Sequence, residues 1–457
     1  MKNCLNFRCD FTITDNPLNL NIDDYLEIGV RKNKKRRFLF ISKQLGKHLA
    51  CRPSEMDELG KKLALVYNNN IMDKYVEPEE SDFNTRNFNN VNSGTIISFA
   101  ETSTALGHSF FDNIVGDYEF IHTTREKIDS IDRIEFLEEH SHATEQNLYS
   151  EGLERFSEVK NIILIDDEIT TANTCMNIIK QIESISHKDS YTICSILNWV
   201  DEESMDRVKY IEREFGCEIN FVYLFKGRFE FEIDDCELSA ITDEVESELA
   251  VTEEIESEQE IQYGEVNSDA KEGKLQKEMI LPFKKDLAGR DLELEFVNLD
   301  LDEYIGDRNY VKYTGRFGMD RKDQIRLKEI IRRENSKLNI SADKKTRKIL
   351  FLGTEEFMYI PMMFAKENEE AADIYYYSTT RSPIIAIDEI CYPIRTKQQI
   401  NSLYNSDVVN YIYNLELNEF TESYLFVELH GKKEELDEII SVFKSSNIDK
   451  LTVVYCS

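Results

Sequence analysis

The sequence predicts two α/β domains, each built on a doubly wound, mainly parallel sheet, and three observations predict it. Apolar runs of strand length alternate with helical patterns on both sides of one acidic stretch. The chain has 457 residues, which at ~150 residues per domain suits two or three domains with sizeable cores. The order strand, acidic turn, helix, strand, Thr-Thr-Arg occurs once in each half.

In chain order, the runs at 38–42, 95–100, 119–122, 161–165, 191–197 and 219–224 are the expected strands of a first domain over residues 20–230. From Phe229 to Lys271 there are 16 acids and no Lys or Arg before Lys271, so residues 231–275 read as an acidic, solvated linker. Strands expected at 348–352, 374–377, 423–429 and 451–455, with helices at 320–336 and 432–444, make a second domain over 276–457. TIISFAETSTALGHSFFDNI with YEFIHTTRE echoes KILFLGTEEFMYIPMMFAKEN with IYYYSTTRSP, which reads as a degenerate internal duplication.

Lys plus Arg number 55 against 88 Asp plus Glu, a formal charge of −33 that disfavours nucleic acid or an anionic membrane as partner. No apolar run approaches the ~20 residues of a membrane span, and MKNCLNFRCDFTITDN lacks the apolar core of a signal peptide, so a cytoplasmic protein is expected. The nine cysteines form no CxxC pairs and read as reduced, mostly buried side chains.

The chemistry concentrates in Ile162-Ile163-Leu164-Ile165-Asp166-Asp167-Glu168-Ile169-Thr170-Thr171-Ala172-Asn173-Thr174, followed by a helical run. A buried strand brings Asp166 and Asp167 to the end of the sheet where α/β proteins bind ligands. The following turn opens a helix whose amino end attracts anions. The pair suits a phosphorylated sugar: vicinal hydroxyls donate to the two acids, and the phosphate takes backbone N–H and hydroxyl bonds from Thr170, Thr171, Ala172, Asn173 and Thr174. Two other readings of an acid pair at a strand end are a helix cap and a phospho-acceptor receiver site. The receiver carries its pair near the start of its domain, whereas some 160 residues precede this one.

The stretch resembles the 5-phosphoribosyl 1-diphosphate (PRPP) motif of type I phosphoribosyltransferases, with Ala172 and Asn173 where that family has glycines. The resemblance implies a type I transferase-like first domain. It places a pyrophosphate loop at Glu101, Thr102, Ser103 and Thr104, for which an ordinary helix N-cap is the other reading. It also implies a mobile hood between Thr123-Thr124-Arg125-Glu126-Lys127 and the PRPP strand. Arg125 and Lys127 are then candidates for pyrophosphate charge, and His140 or His142 for its proton donor. His-x-His could instead hold a metal, or the segment could be a surface loop.

Residues 31–37 hold six bases, read as solubility or acid pairing, while Lys47 and His48 beyond the next strand are the better substrate-binding candidates. Trp199, the only Trp, is either a stacking wall for an acceptor base or a buried anchor.

GKH near residue 46, FAETSTALGH, HTTRE, EEHSHAT and IILIDDEITT together resemble the phosphoribosyltransferases encoded in bacterial tellurium-resistance gene clusters. Those proteins carry a second domain named for Thr-Arg-Ser-Pro, present here as Thr380-Arg381-Ser382-Pro383 after Gly353-Thr354-Glu355-Glu356. The resemblance implies a PRPP-dependent transferase using Mg2+ at Asp166 and Asp167, a small-molecule acceptor, and a stress-response pathway that makes a nucleoside-like metabolite. It suggests ATP-grasp ligases and phosphatases as pathway partners, with a homodimer as one assembly. A sensor that binds PRPP without turnover is the alternative function. Thr380, Arg381, Ser382, Glu355 and Arg316 are second-domain candidates for a smaller anion or for completing the first pocket. A structural role is the other reading.

Overall fold

The structure, a computed structural model, describes residues 2–4, 7–31, 36–72, 93–128, 131–137, 145–149, 156–233, 292–306, 308–340, 347–428 and 433–456. Nearly all of the expected linker, and His140 and His142, lie outside these residues.

The first half contains β1 (Lys2–Cys4), β2 (Phe7–Asp15), β3 (Leu26–Val30), β4 (Phe38–Ser42), α1 (Pro53–Met72), β5 (Ser93–Ser98), α2 (Thr104–Asn113), β6 (Asp117–His122), β7 (Arg133–Leu137), β8 (Glu145–Tyr149), β9 (Asn161–Ile169), α3 (Asn173–Ile185), β10 (Ser190–Asn198), α4 (Glu202–Phe215) and β11 (Glu218–Glu232). Its main sheet runs β1-β2-β11-β10-β9-β5-β6. The stretch from β11 to β6 is parallel, and β2 adds antiparallel to β11. The central strands are apolar on both faces because helices cover both, as parallel sheets require.

The second half contains β12 (Glu293–Asn298), β13 (Tyr304–Ile305), β14 (Tyr310–Val311), α5 (Arg321–Glu334), β15 (Lys348–Gly353), α6 (Tyr359–Asn368), β16 (Asp373–Ser378), β17 (Lys397–Asn401), β18 (Val409–Tyr413), β19 (Glu422–Val427), α7 (Lys433–Lys444) and β20 (Lys450–Tyr455). Its sheet, β12-β20-β19-β15-β16, is parallel throughout. The order β20-β19-β15-β16 repeats β10-β9-β5-β6, and the antiparallel pair β17–β18 stands where β7–β8 stands in the first half.

Three features depart from the sequence reading. Phe38–Ser42 is not a strand of the parallel sheet; it pairs antiparallel with β3 in a separate hairpin. The alternating segment β2 joins the main sheet, although no strand was expected there. Cysteines 9, 51, 175, 194, 217 and 456 are free and buried, while Cys391 is in a disulfide, contrary to the expectation for all nine.

The two halves close each other's sheet edges. Along β16, Ser378 N–H donates to Gly46 at 2.9 Å, and Cys51 and Tyr376 exchange backbone bonds of 3.0 and 2.9 Å. Along β6, His122 N–H donates to Gly315 at 3.1 Å, and Phe120 and Met319 exchange bonds of 2.8 and 2.7 Å. Each segment leads into a helix, α1 or α5. Gly46 (φ +67°) and Gly315 (φ +89°) both adopt the left-handed conformation, and a Cβ would lie 2.6 Å from the Tyr376 ring or 2.5 Å from the Phe120 ring. Two otherwise open strand edges are thereby covered. At the contact of α2 with α6, the His108 ring stacks 4.2 Å from Tyr359.

Candidate active site

β9 delivers Asp166, Asp167 and Glu168 in succession near its carboxyl end. Asp166 Oδ1 accepts from Ser103 Oγ at 3.1 Å and from the Asp167 N–H at 2.9 Å. Burial, and then the neighbouring Asp167, push the Asp166 carboxyl well above the usual carboxylate range. Glu168 is also raised by burial, an effect opposed by the Arg36 guanidinium with which it pairs. Arg36 in turn lies 5.3 Å over the Phe38 ring.

The turn after β9 carries its left-handed residue at Ala172 (φ +57°), and Ala172 C=O accepts from Met176 N–H at 2.9 Å. The sequence points to Asn173 as the residue that tolerates this conformation; the structure instead makes Asn173 the first residue of α3. Ala172 is buried, and Thr170, Thr171, Asn173 and Thr174 are partly buried at the amino end of α3. No side chain caps that end, so its backbone N–H groups face the turn.

The loop after β5 is held from several directions. Ala100 N–H donates to Thr123 Oγ1 at 2.8 Å, Gln146 Nε2 donates to Ala100 C=O at 3.1 Å, and Thr104 Oγ1 donates to Glu101 C=O at 3.1 Å. Ser103 occupies the N-cap position of α2 but makes no side-chain cap bond. Its hydroxyl goes to Asp166 instead, which ties the loop to the acid pair. Lys47 Nζ donates to Thr102 Oγ1 at 2.5 Å, bringing a cation from the segment along β16 onto the same loop. His48 is buried next to it, and burial, with the positive charges of Lys47 and Arg31, drives its pKa well below the usual imidazole value.

Other expected residues are spread more widely. Arg125 pairs with Glu101 at 3.7 Å and its N–H donates to Glu356 at 3.2 Å, where the two halves meet. Lys127 is exposed. Trp199 is 5% exposed and packs against Phe11, Phe40 and Phe229 at 5.5–5.7 Å, the surroundings of a buried anchor rather than a stacking wall.

In the second half, Arg381 Nε donates to Glu355 Oε2 at 2.7 Å and Nη2 lies 3.5 Å from Glu126. Thr380 Oγ1 accepts from Ser382 N–H at 3.2 Å. Arg316 is fully buried and binds Glu428 through two bonds of 2.8 and 3.1 Å. Glu168 and Arg36, absent from the expected site, are 132 residues apart in the chain. The available signals were a third acid directly after the acid pair and the basic cluster at 31–37, for which acid pairing was one reading.

The profile of a family described as phosphoribosyl transferase matches residues 25–228, and that of the TRSP domain described as C-terminal to it matches residues 313–443. Among solved structures, adenine phosphoribosyltransferase from Trypanosoma brucei is 12% identical with a TM-score of 0.30, over 46% of this chain and 81% of its own. The Saccharomyces cerevisiae adenine enzyme is 9% identical with a TM-score of 0.27, over 43% and 93%. A hypoxanthine phosphoribosyltransferase from Staphylococcus aureus is 12% identical with a TM-score of 0.20, over 34% and 69%. No curated protein matches the chain. The first half thus matches the phosphoribosyl transferases, a family of pentosyltransferases, over residues 25–228, and the tetrapeptide-bearing second half matches the TRSP domain described as C-terminal to them over residues 313–443.

Proposed function

We propose that this chain is a PRPP-dependent phosphoribosyltransferase that moves ribose 5-phosphate to a nitrogenous acceptor and releases pyrophosphate. The observation that carries this reading is the Ser103–Asp166 bond of 3.1 Å, which joins a hydroxyl-rich loop to an acid pair beside an uncapped helix amino end. Three chemically different parts of one substrate thus have adjacent sites. Asp166 and Asp167 accept the ribose hydroxyls, the N–H groups and hydroxyls of 170–174 hold the 5-phosphate, and residues 101–104 with Lys47 receive the diphosphate.

The bond from ribose carbon to diphosphate oxygen breaks, the electron pair leaves with pyrophosphate, and the acceptor nitrogen bonds to the same carbon and gives up its proton. The carboxylates of β9 stabilise the positive charge that develops on the sugar ring. Lys47, supported by Arg125 beside Glu101, balances the charge of the departing group. His140, outside the described residues, is our candidate to protonate it.

Among the described residues no group of three or more His, Cys, Asp or Glu side chains is arranged to hold a metal by itself. Two carboxylates fit Mg2+, which takes one or two from a protein and completes its shell with substrate phosphates and water. Bound there by Asp166 and Asp167, it would neutralise diphosphate charge.

We place the activity in the cytoplasm, in a stress-response pathway of the tellurium-resistance type that makes a nucleoside-like metabolite alongside ligases and phosphatases. The motif resemblance supports this, and no helix among the described residues is long and apolar enough to cross a membrane. We take the domains as 20–230 and 276–457, the first extended at its start by β1 and β2, which pair into its main sheet. The test is pyrophosphate release from PRPP and Mg2+ with a panel of nitrogenous acceptors, in parallel with titration of PRPP. Release that Asp166→Asn abolishes supports transfer; binding without release by any acceptor supports the sensor.

A further inference from the structure

The Thr-Thr-Arg turns at the ends of β6 and β16 meet the opposite half in the same way. Thr124 Oγ1 and Arg125 N–H donate to Glu356 Oε1 at 3.0 and 3.2 Å, and in return Arg381 N–H donates to Glu101 Oε2 at 3.5 Å. Ladder register makes these residues equivalent. Ser98 pairs with His122 and Gly353 with Ser378, so Glu101 and Glu356 each stand three residues past one partner, and Arg125 and Arg381 three past the other. Each turn contacts the other half's loop glutamate, the reciprocal pattern of an isologous interface within one chain.

The side chains break this symmetry. Arg125 reaches Glu101 of its own half at 3.7 Å. Arg381 is held by Glu355 of its own half at 2.7 Å and lies 3.5 Å from Glu126 of the first half. Its guanidinium therefore fastens the second turn against the first half beside the loop that carries Lys47–Thr102 and Ser103–Asp166.

The second half's own counterpart of the ribose site is closed. Extending the ladder one step past Leu352↔Leu425 puts Phe426 beside Gly353, as Ile165 stands beside Ser98, and Glu428 then takes the place of Asp167. Arg316 follows Gly315 as Lys47 follows Gly46, and its guanidinium lies on Glu428 through two bonds, both side chains fully buried. A sugar hydroxyl would have to displace a desolvated, two-bonded ion pair.

We propose that the second half, rather than acting on a sugar phosphate, holds the first half's pyrophosphate loop, with Arg381 of the Thr-Arg-Ser-Pro segment as the positioning residue. This rests on the PRPP reading above. Arg381 fixes Glu101 through its N–H, and Glu355 and Glu126 fix Arg381 through its side chain. The loop is then preset for the diphosphate, where a shift of ~1 Å can cost ~100-fold.

The experiment titrates the full-length chain, with Mg2+, with inorganic pyrophosphate and separately with ribose 5-phosphate. Arg381→Gln should weaken pyrophosphate by about tenfold and leave ribose 5-phosphate within about twofold. Arg381→Lys, which keeps the charge without the fork, should recover part of the loss. Glu355→Gln, which acts on Arg381 from the second half, should reproduce it. The inference is overturned if Arg381→Gln leaves pyrophosphate within about twofold, or weakens both ligands by the same factor as a general loss of structure would. If the parent protein binds neither ligand, the PRPP reading itself fails and takes this inference with it.

Discussion

Asp166→Asn should separate stability from ligand binding. Both hydrogen bonds that Asp166 receives, from Ser103 Oγ at 3.1 Å and Asp167 N–H at 2.9 Å, fall on Oδ1, so an amide oxygen placed there preserves them. The other oxygen becomes an NH2 group, which turns an acceptor for a sugar hydroxyl into a donor. Burial and Asp167 raise the wild-type carboxyl well above its ordinary value, so its contribution to stability is complete below an unfolded pKa of about 3.9 and is lost as pH rises through the folded value. The amide carries no such loss, so the variant should be at least as resistant to urea as the parent, with an advantage that grows with pH. At the ligand, a hydrogen bond to a charged group contributes about 1.5–3 kcal/mol, which at ~1.4 kcal/mol per decade weakens ribose 5-phosphate by ~10–150-fold. Urea midpoints at two pH values and calorimetric titration measure the two effects. A lower midpoint at pH 8, or an affinity within about twofold of the parent, would refute the reasoning.

Arg316→Met should cost about 3–5 kcal/mol by stranding the buried Glu428 carboxylate, and Arg316→Met with Glu428→Leu should recover most of it; urea unfolding of the three proteins checks both statements. Glu126, pushed by burial to about 7, stabilises the fold fully below an unfolded pKa of about 4.3 and ceases to do so as pH rises through about 7. Glu126→Gln should therefore flatten the pH dependence of stability between pH 5 and 8, and identical profiles for variant and parent would count against it. Fragments 1–233 and 292–457 should aggregate when expressed singly but co-purify when expressed together, because each covers the other's strand edge; size-exclusion chromatography reads the result.

The main sheet of each half was legible because its central strands are continuous apolar runs, and β4 and β9 begin where the sequence places them. The sheet membership of β4 was not legible: a short apolar run has the same appearance in a hairpin as in a parallel sheet, and only its partner β3 distinguishes them. At the site, the acid pair, the turn and the loop are visible as local motifs. The Arg36–Glu168 pair joins a hairpin to β9 across 132 residues, and no local pattern announces a contact of that range. The duplication was visible in sequence as the echo of FAETS by LGTEEF, whose first glutamate, Glu355, is the nearer match to Glu101. Register aligns Glu101 with Glu356 instead, and this shift of one residue decides which glutamate faces the other half.

The exchanged edge segments also set an order of assembly during synthesis. β6 is made early, but Gly315 and Met319, which close its edge, leave the ribosome roughly 200 residues later, ~10–40 s at ~5–20 residues per second. For that interval the nascent chain carries an open parallel-sheet edge with an Asp-Tyr-Glu-Phe-Ile-His sequence. The acidic stretch between the halves, which carries no Lys or Arg before Lys271, emerges during the same interval.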